Sequence, residues 1–130
     1  EKLIANIKAR GFTCAEFIPI RNTPEVLTEY ARAMRAAGLV VTAGTEHNTL
    51  YLLPIEPTCV KGLAVPEELK DLFWEGACVV AAHQFLTLHG ECGLVDAQGQ
   101  PNPNYPNAAA RISAFKSLGE TVIGRYLNSK

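Results

Sequence analysis

The sequence has no excess of either charge and no basic run. Its 130 residues include 12 Lys and Arg against 13 Asp and Glu, which gives a formal net charge of -1. Proteins that bind nucleic acid or an anionic membrane surface normally carry a strongly basic patch. The balance of charges therefore predicts small or weakly charged partners and no nucleic-acid partner.

Long apolar runs are also missing. The most apolar stretch, residues 77–88, is interrupted by His83 and Gln84. It is shorter than the roughly 20 residues that a membrane-spanning helix needs, so we expect no membrane partner. With 48% hydrophobic residues, the chain still has enough apolar material for the core of one domain.

Cysteine is scarce, and its spacing is wide. Cys14, Cys59, Cys78 and Cys92 lie far apart, and the N-terminus does not resemble a signal peptide. We therefore expect four unpaired thiols and a cytoplasmic location. Methionine is scarcer still, with Met34 alone, and the chain begins at Glu1. This predicts either a processed start or a piece of a longer protein.

Periodicity predicts an α/β fold with four helices and two strands. The predicted helices cover residues 1–10, 23–38, 66–88 and 107–127, and the predicted strands cover 13–20 and 39–43. The order strand, helix, strand with short connections is typical of a parallel βαβ unit. Two strands are few for a parallel sheet. Further strands at 51–55 or 92–95, or a larger fold that this chain completes, would make up the deficit.

The end of the second strand carries candidate catalytic groups. Gly44 permits a sharp turn, and Glu46 and His47 follow with a carboxylate and an imidazole. These groups suit a divalent metal or acid-base chemistry, and the carboxyl ends of parallel strands are where α/β proteins place their sites. The alternative is a polar loop in which Thr45 or Asn48 caps the next turn.

Glu16 lies in the middle of the first predicted strand, and Arg21 follows the same strand. A carboxylate in a buried strand is costly unless it is paired, hydrogen-bonded or metal-bound, so Glu16 is a candidate site residue. The alternative is an edge strand with Glu16 facing water or paired with an arginine. Lys61 and Gly62, in the long loop 49–65, are candidates to meet an anionic group.

The segment that holds Cys78, His83, His89 and Cys92 does not have the geometry of a zinc site. On one helix, Cys78 and His89 share a face but lie about 16 Å apart along the axis, and His83 points elsewhere. Zinc bonds are only about 2.0 to 2.3 Å long. We therefore predict that Cys78 belongs to the core and that His83 is a satisfied core histidine.

Residues 14–48 resemble the later part of the PHP family of metal-dependent phosphoesterases, named for polymerases and histidinol phosphatase. In that family a strand of the type G-I-E-V-Y leads through a helix to a strand that ends V-T-G-G-S-D-x-H. This chain has A-E-F-I at 15–18, T-P-E at 23–25 and V-T-A-G-T-E-H-N at 41–48. The resemblance covers about a quarter of the chain.

The resemblance implies a zinc or manganese site and a small phosphate ester as substrate. The metal-binding Asp and His of the family fall on Glu46 and Asn48, with His47 in the variable place between them. It therefore implies Glu46, His47 and Asn48 as metal ligands and Glu46 and His47 as catalytic residues. Glu16, Arg21 and Lys61 would bind substrate.

The early histidine ligands of the PHP family have no counterpart in this chain, whose histidines are only His47, His83 and His89. The resemblance thus implies the C-terminal part of a seven-stranded β/α barrel, so that 1–130 is either one domain or the end of a larger one. We expect a hydrolase portion that is inactive alone. The alternatives are a binding domain that has lost its metal centre and uses loop 49–65, and a homo-oligomer that pairs through an uncovered sheet edge.

Overall fold

The computed structural model describes residues 2–45, 50 and 54–129. It contains both helices and strands, which confirms the α/β class. The helices are α1 (Lys2–Ala9), α2 (Pro24–Ala36), α3 (Glu67–Leu88) and α4 (Ala108–Asn128), and the strands are β1 (Cys14–Phe17) and β2 (Val40–Ala43). Within these ranges, no helix is both long and apolar enough to cross a membrane.

β1 and β2 form a parallel pair connected by α2, as the sequence predicts. Cys14 lies opposite Val40, and Phe17 lies opposite Ala43. Thr23 caps α2, because its hydroxyl accepts a hydrogen bond from the Val26 amide at 3.4 Å. The helix stops before Gly38, whose φ of +87° is readily available only to glycine.

β1 is an edge strand, because β2 is the one described strand that pairs with it, and its other side carries no described strand. The Val40 amide donates to the Thr13 carbonyl at 2.9 Å, and the Gly44 amide donates to the Phe17 carbonyl at 2.8 Å. Alternation along the strand then turns the backbone groups of Cys14 and Glu16 away from β2. In the described part of the chain, no third strand pairs with this edge.

Two strand predictions need correction. The first strand is shorter than 13–20, because a 3-10 turn over Pro19–Arg21 replaces its end. Pro19 has no amide hydrogen to continue a ladder. Residues 92–95 do not form a strand either, and only a single bridge joins Val95 to Pro101. In the other candidate strand, 51–55, residues 51–53 lie outside the described ranges.

The sheet separates two apolar clusters. The first contains α2 and the start of α3, and its buried members are Leu27, Ala31, Met34, Leu39, Val41, Cys59, Val65 and Leu69. The second lies between the sheet, α3 and α4, and its buried members are Val40, Val79, Ala82, Leu94, Ile112 and Phe115. Neighbouring residues Val40 and Val41 therefore face opposite clusters, as expected of a strand covered on both faces.

α3 contributes to both clusters because it passes the free edge of β2 at Gly76. A Cβ on Gly76 would lie 2.0 Å from the Val41 carbonyl oxygen, so only glycine allows this approach. Leu69 then packs in the first cluster, and Val79 packs in the second. The glycine that interrupts the apolar pattern of α3 is thus required for packing against the sheet.

The four cysteines are unpaired, which confirms the prediction. Cys59 and Cys78 are fully buried, and burial raises the pKa of both thiols. Negative charge adds to the rise, from Glu25 at Cys59 and from Glu120 at Cys78. Cys78 is a core residue, as predicted, and a thiol with a raised pKa is a poor nucleophile.

Candidate functional site

The candidate site lies at the carboxyl ends of β1 and β2, where the first strand presents Glu16 and the second ends at Gly44. Glu16 is exposed, which agrees with the alternative of an edge strand whose carboxylate faces water. The reason is the position of β1 at the edge of the sheet, where alternate side chains reach solvent. No described residue donates a hydrogen bond to this carboxylate.

Gly44 provides the space that the Glu16 side chain occupies. A Cβ on Gly44 would lie 2.6 Å from Glu16 Oε1 and 3.0 Å from Ile18 Cδ1. Glu16 and Ile18 are on the face of β1 that continues alongside Gly44 in the parallel register. The structure therefore brings the Glu16 carboxylate to the point where the chain leaves β2 for residues 46–48.

Arg21 and Lys61 are exposed and lie on two 3-10 turns that contact each other. Asn22 joins the turns: its side-chain amide donates to the Ile18 carbonyl at 2.9 Å, and its own carbonyl accepts from the Val60 amide at 2.9 Å. The structure therefore brings together the segments that carry two of the predicted substrate-binding residues. The turn that carries Arg21 directly follows the carboxyl end of β1, and the turn that carries Lys61 packs against it.

Lys61 has an unusual backbone conformation for a residue with a side chain. Its φ is +61° and its ψ is 23°, in the left-handed region that lysine seldom occupies. A hydrogen bond of 3.1 Å from the Gly62 amide to the Cys59 carbonyl closes the turn around it. A second bond, 2.7 Å long, runs from the Cys59 amide to the Leu63 carbonyl. Sparsely populated conformations of this kind cluster at functional sites.

An acidic group lies on the same side of the molecule as these basic turns. Glu25, in the first turn of α2, is fully exposed. Hydrogen bonds with its own backbone amide and with the Thr23 hydroxyl hold the pKa of its carboxyl below the usual range. Glu25 also raises the pKa of the Cys59 thiol, which places its negative charge near the turn that carries Lys61.

The three predicted metal ligands, Glu46, His47 and Asn48, lie outside the described residues. Their convergence with Glu16 therefore stays a prediction. Elsewhere in the chain, residues 2–45, 50 and 54–129 contain no group of three or more His, Cys, Asp or Glu side chains arranged to hold a metal ion.

His83 has the role predicted for it, since it is half-buried and hydrogen-bonded. Its Nδ1 accepts a hydrogen bond from the Leu94 amide at 3.0 Å. The ring lies against Gly93, where a Cβ would approach Nδ1 to 2.1 Å. These contacts hold the loop after α3 against the helix.

Arg111 is the residue that the sequence reasoning missed. It is buried in the first turns of α4, on the same face as Ala108 and Phe115. The available signal is an arginine on the apolar face of a predicted helix, between Ala108 and Phe115. It belongs to the opposite end of the sheet, beside Leu39.

Comparison of the chain with protein-family models, with curated proteins and with solved structures found no match. A carboxylate at a strand end and two cationic side chains on adjoining turns are groups that bind phosphate esters and transfer protons during their hydrolysis.

Proposed function

We propose that this chain is the C-terminal portion of a metal-dependent phosphoesterase similar to the PHP family. One observation carries the proposal: the Glu16 carboxylate, on one parallel strand, lies against Gly44, at the carboxyl end of the next. That strand leads directly into Glu46, His47 and Asn48. Neighbouring strand ends are where α/β proteins assemble catalytic groups.

The basic side chains would bind the substrate's phosphate group. Arg21 offers a planar fork of donors, and Lys61 offers a compact positive charge. Their turns are joined through Asn22, so the distance between them is restrained. Glu16 has no described hydrogen-bond donor and is exposed, so it is available to accept a proton from water or from the substrate.

The residues that would hold a divalent ion are Glu46, His47 and Asn48, with Glu16 beside them. Carboxylate and imidazole groups suit zinc or manganese. The Glu16 carboxyl lies at this strand end because Gly44 has no side chain to exclude it. A bound divalent cation supplies Lewis-acid stabilisation of charge on a phosphoryl group. With few ligands in this chain, we propose weak binding and no appreciable hydrolysis by the chain alone.

A second candidate function is a non-catalytic binding domain. The turn Val60–Gly62, which holds Lys61 in a left-handed conformation, favours this function. Such a turn fixes the position of one cationic side chain without a metal ion. The two candidates differ in what they require. The hydrolase needs Glu46 and Glu16, whereas the binding domain needs only Lys61 and its turn.

Calorimetric titration of the chain with Mn²⁺ distinguishes these functions. We expect weak binding to the wild type and an affinity loss of about tenfold or more in Glu46→Gln, the kind of loss that disrupted metal sites show. Glu16→Gln should weaken binding in the same direction. Glu29→Gln, which changes an exposed carboxylate in the middle of α2, is the matched control and should leave the affinity unchanged.

Two results would overturn the hydrolase proposal. One is an unchanged Mn²⁺ affinity in Glu46→Gln, and the other is no Mn²⁺ binding by the wild type. If Mn²⁺ does not bind but Lys61→Gln abolishes binding of a small phosphate ester, the binding-domain function takes its place.

A further inference from the structure

Arg111 is a buried cation that has no partner among the described residues. Only 7% of its surface is exposed. Its Nε is inaccessible and makes no hydrogen bond, and its guanidinium forms no ion pair with any described residue. Among the buried side-chain nitrogen and oxygen atoms in these parts of the chain, it alone has no partner.

An unpaired buried charge is costly, so its retention requires a reason. A guanidinium cannot escape the cost by losing its proton, because arginine stays charged at all ordinary pH values. Ala108, three residues earlier, contacts the Gly38 position, and Phe115, four residues later, belongs to the core. Arg111 is thus held on the inner face of α4 and is not free to turn outward.

Arg111 lines a cleft of about 300 Å³ at the amino ends of the strands. Thr13 and Leu39, which precede β1 and β2, form its floor, and Phe12 and Pro101 contribute apolar walls. The volume is at the lower end of the range for ligand sites, which suits a small molecule. This end of the sheet is opposite to the one that carries Arg21 and Lys61.

The electrostatics of the cleft favour an anion. Lys8 is a second cation in its wall and has donors to spare, since only one bond is formed, from Nζ to the Ala37 carbonyl at 2.7 Å. None of the described residues that line the cleft carries a carboxylate. Asp96 precedes the lining residue Gly99 by three positions, and its Oδ1 already accepts hydrogen bonds from the amides of Gln98 and Gln100.

The amino end of α4 adds to this positive potential. Ala108, the first residue of this 21-residue helix, is part of the cleft wall. Backbone amides at a helix amino end carry partial positive charge and attract phosphate. The Ala110 amide donates a hydrogen bond to Asn107 Oδ1 at 2.9 Å. The other amides of the first turn have no acceptor within the helix.

We propose that this cleft binds the phosphate group of a small phosphorylated molecule, with Arg111 as the anchoring cation. Two cations and a helix amino end favour a doubly charged phosphate over a carboxylate. The cleft also has apolar wall beyond the cations, at Phe12 and Pro101, which gives room for the organic part of the molecule. The site lies apart from Glu16 and does not depend on the proposed hydrolase function.

Thermal unfolding with inorganic phosphate and with phenyl phosphate, at constant ionic strength, tests the proposal. Each ligand should raise the Tm of the wild type, and phenyl phosphate should act at lower concentration because it also contacts the apolar wall. In Arg111→Met the apparent affinity should fall about tenfold or more, the loss expected for a charge-assisted hydrogen bond. Lys8→Gln should weaken binding to a smaller extent.

The matched control is Arg125→Gln, which removes an exposed arginine from the last turn of the same helix. It should leave both phosphate effects intact. Without phosphate, Arg111→Met should have an unchanged or higher Tm, because the unpaired buried charge is gone. The proposal is overturned if neither ligand raises the wild-type Tm, or if Arg111→Met responds to both ligands as the wild type does.

Discussion

The contact between α3 and α4 depends on Gly119, and the substitution Gly119→Ala tests that dependence. A Cβ at this position would lie 1.9 Å from the Cys78 carbonyl oxygen, 2.4 Å from its carbonyl carbon and 2.7 Å from its Cα. All three are backbone atoms in the middle of α3. No side chain can rotate away to relieve the overlap, so the helices themselves must move apart.

The expected loss of stability follows from two opposing effects. Replacing glycine by alanine inside a helix stabilises the helix by about 1 kcal/mol. Relieving the overlap requires a shift of ~1.5 Å between α3 and α4, and overpacking of this kind costs about 1 to 3 kcal/mol, or more where backbone must move. Gly119 and Cys78 are both buried and only backbone can move, so we take the upper end of this cost, about 3 kcal/mol. Subtracting the helix gain of about 1 kcal/mol leaves an expected net loss of about 2 kcal/mol.

Gly124→Ala is the matched control, because Gly124 is in the same helix and has no atom within 4 Å of its would-be Cβ. It should stabilise the protein by up to about 1 kcal/mol. Urea unfolding followed by circular dichroism gives both free energies. Equal changes for the two variants, or stabilisation by Gly119→Ala, would refute the close packing of α3 on α4.

Three further predictions concern other parts of the fold. His83→Leu should lower the free energy of unfolding by about 1 to 3 kcal/mol, because the Leu94 amide loses its hydrogen-bond acceptor. His89→Leu, at an exposed position, is the control and should change the free energy little. Equal losses in the two variants would contradict this prediction. Because the pKa of Glu25 is lowered in the folded state, its contribution to stability is present above the unfolded value of about 4.3 and is lost as pH falls through the folded pKa. In Glu25→Gln the free energy of unfolding should therefore fall less steeply as the pH drops below that value. Urea unfolding at several acidic pH values measures this, and the same pH dependence in the variant and the wild type would count against the prediction. The open edge of β1 should make the chain self-associate, so sedimentation that shows a monomer at all concentrations would count against an exposed pairing edge.

The sequence predicts most of the local structure, because the relevant signals lie close together in the chain. Thr23 and Pro24 determine where α2 begins, and Gly38 determines where it ends. Asn107 caps α4 as its position predicts. Alternation of buried strand and amphipathic helix also predicts the parallel pairing of β1 with β2.

Features that depend on distant contacts were not predicted. Gly76 and Gly119 look like weak points in their helices, yet each is required by a backbone from another element. For Glu16 the sequence left a buried strand and an exposed edge strand as alternatives, because a local pattern does not tell which strand forms the edge. The unpaired state of Arg111 likewise depends on the elements around the amino end of α4.

The central claim is that the carboxyl ends of β1 and β2 form a divalent-metal site. The most direct test is paramagnetic broadening of amide NMR signals by Mn²⁺ added to the chain. We expect selective broadening at Glu16, Gly44 and Thr45 that is lost in Glu46→Gln, and no broadening at Arg111. Broadening centred elsewhere, or unchanged by Glu46→Gln, would contradict the claim.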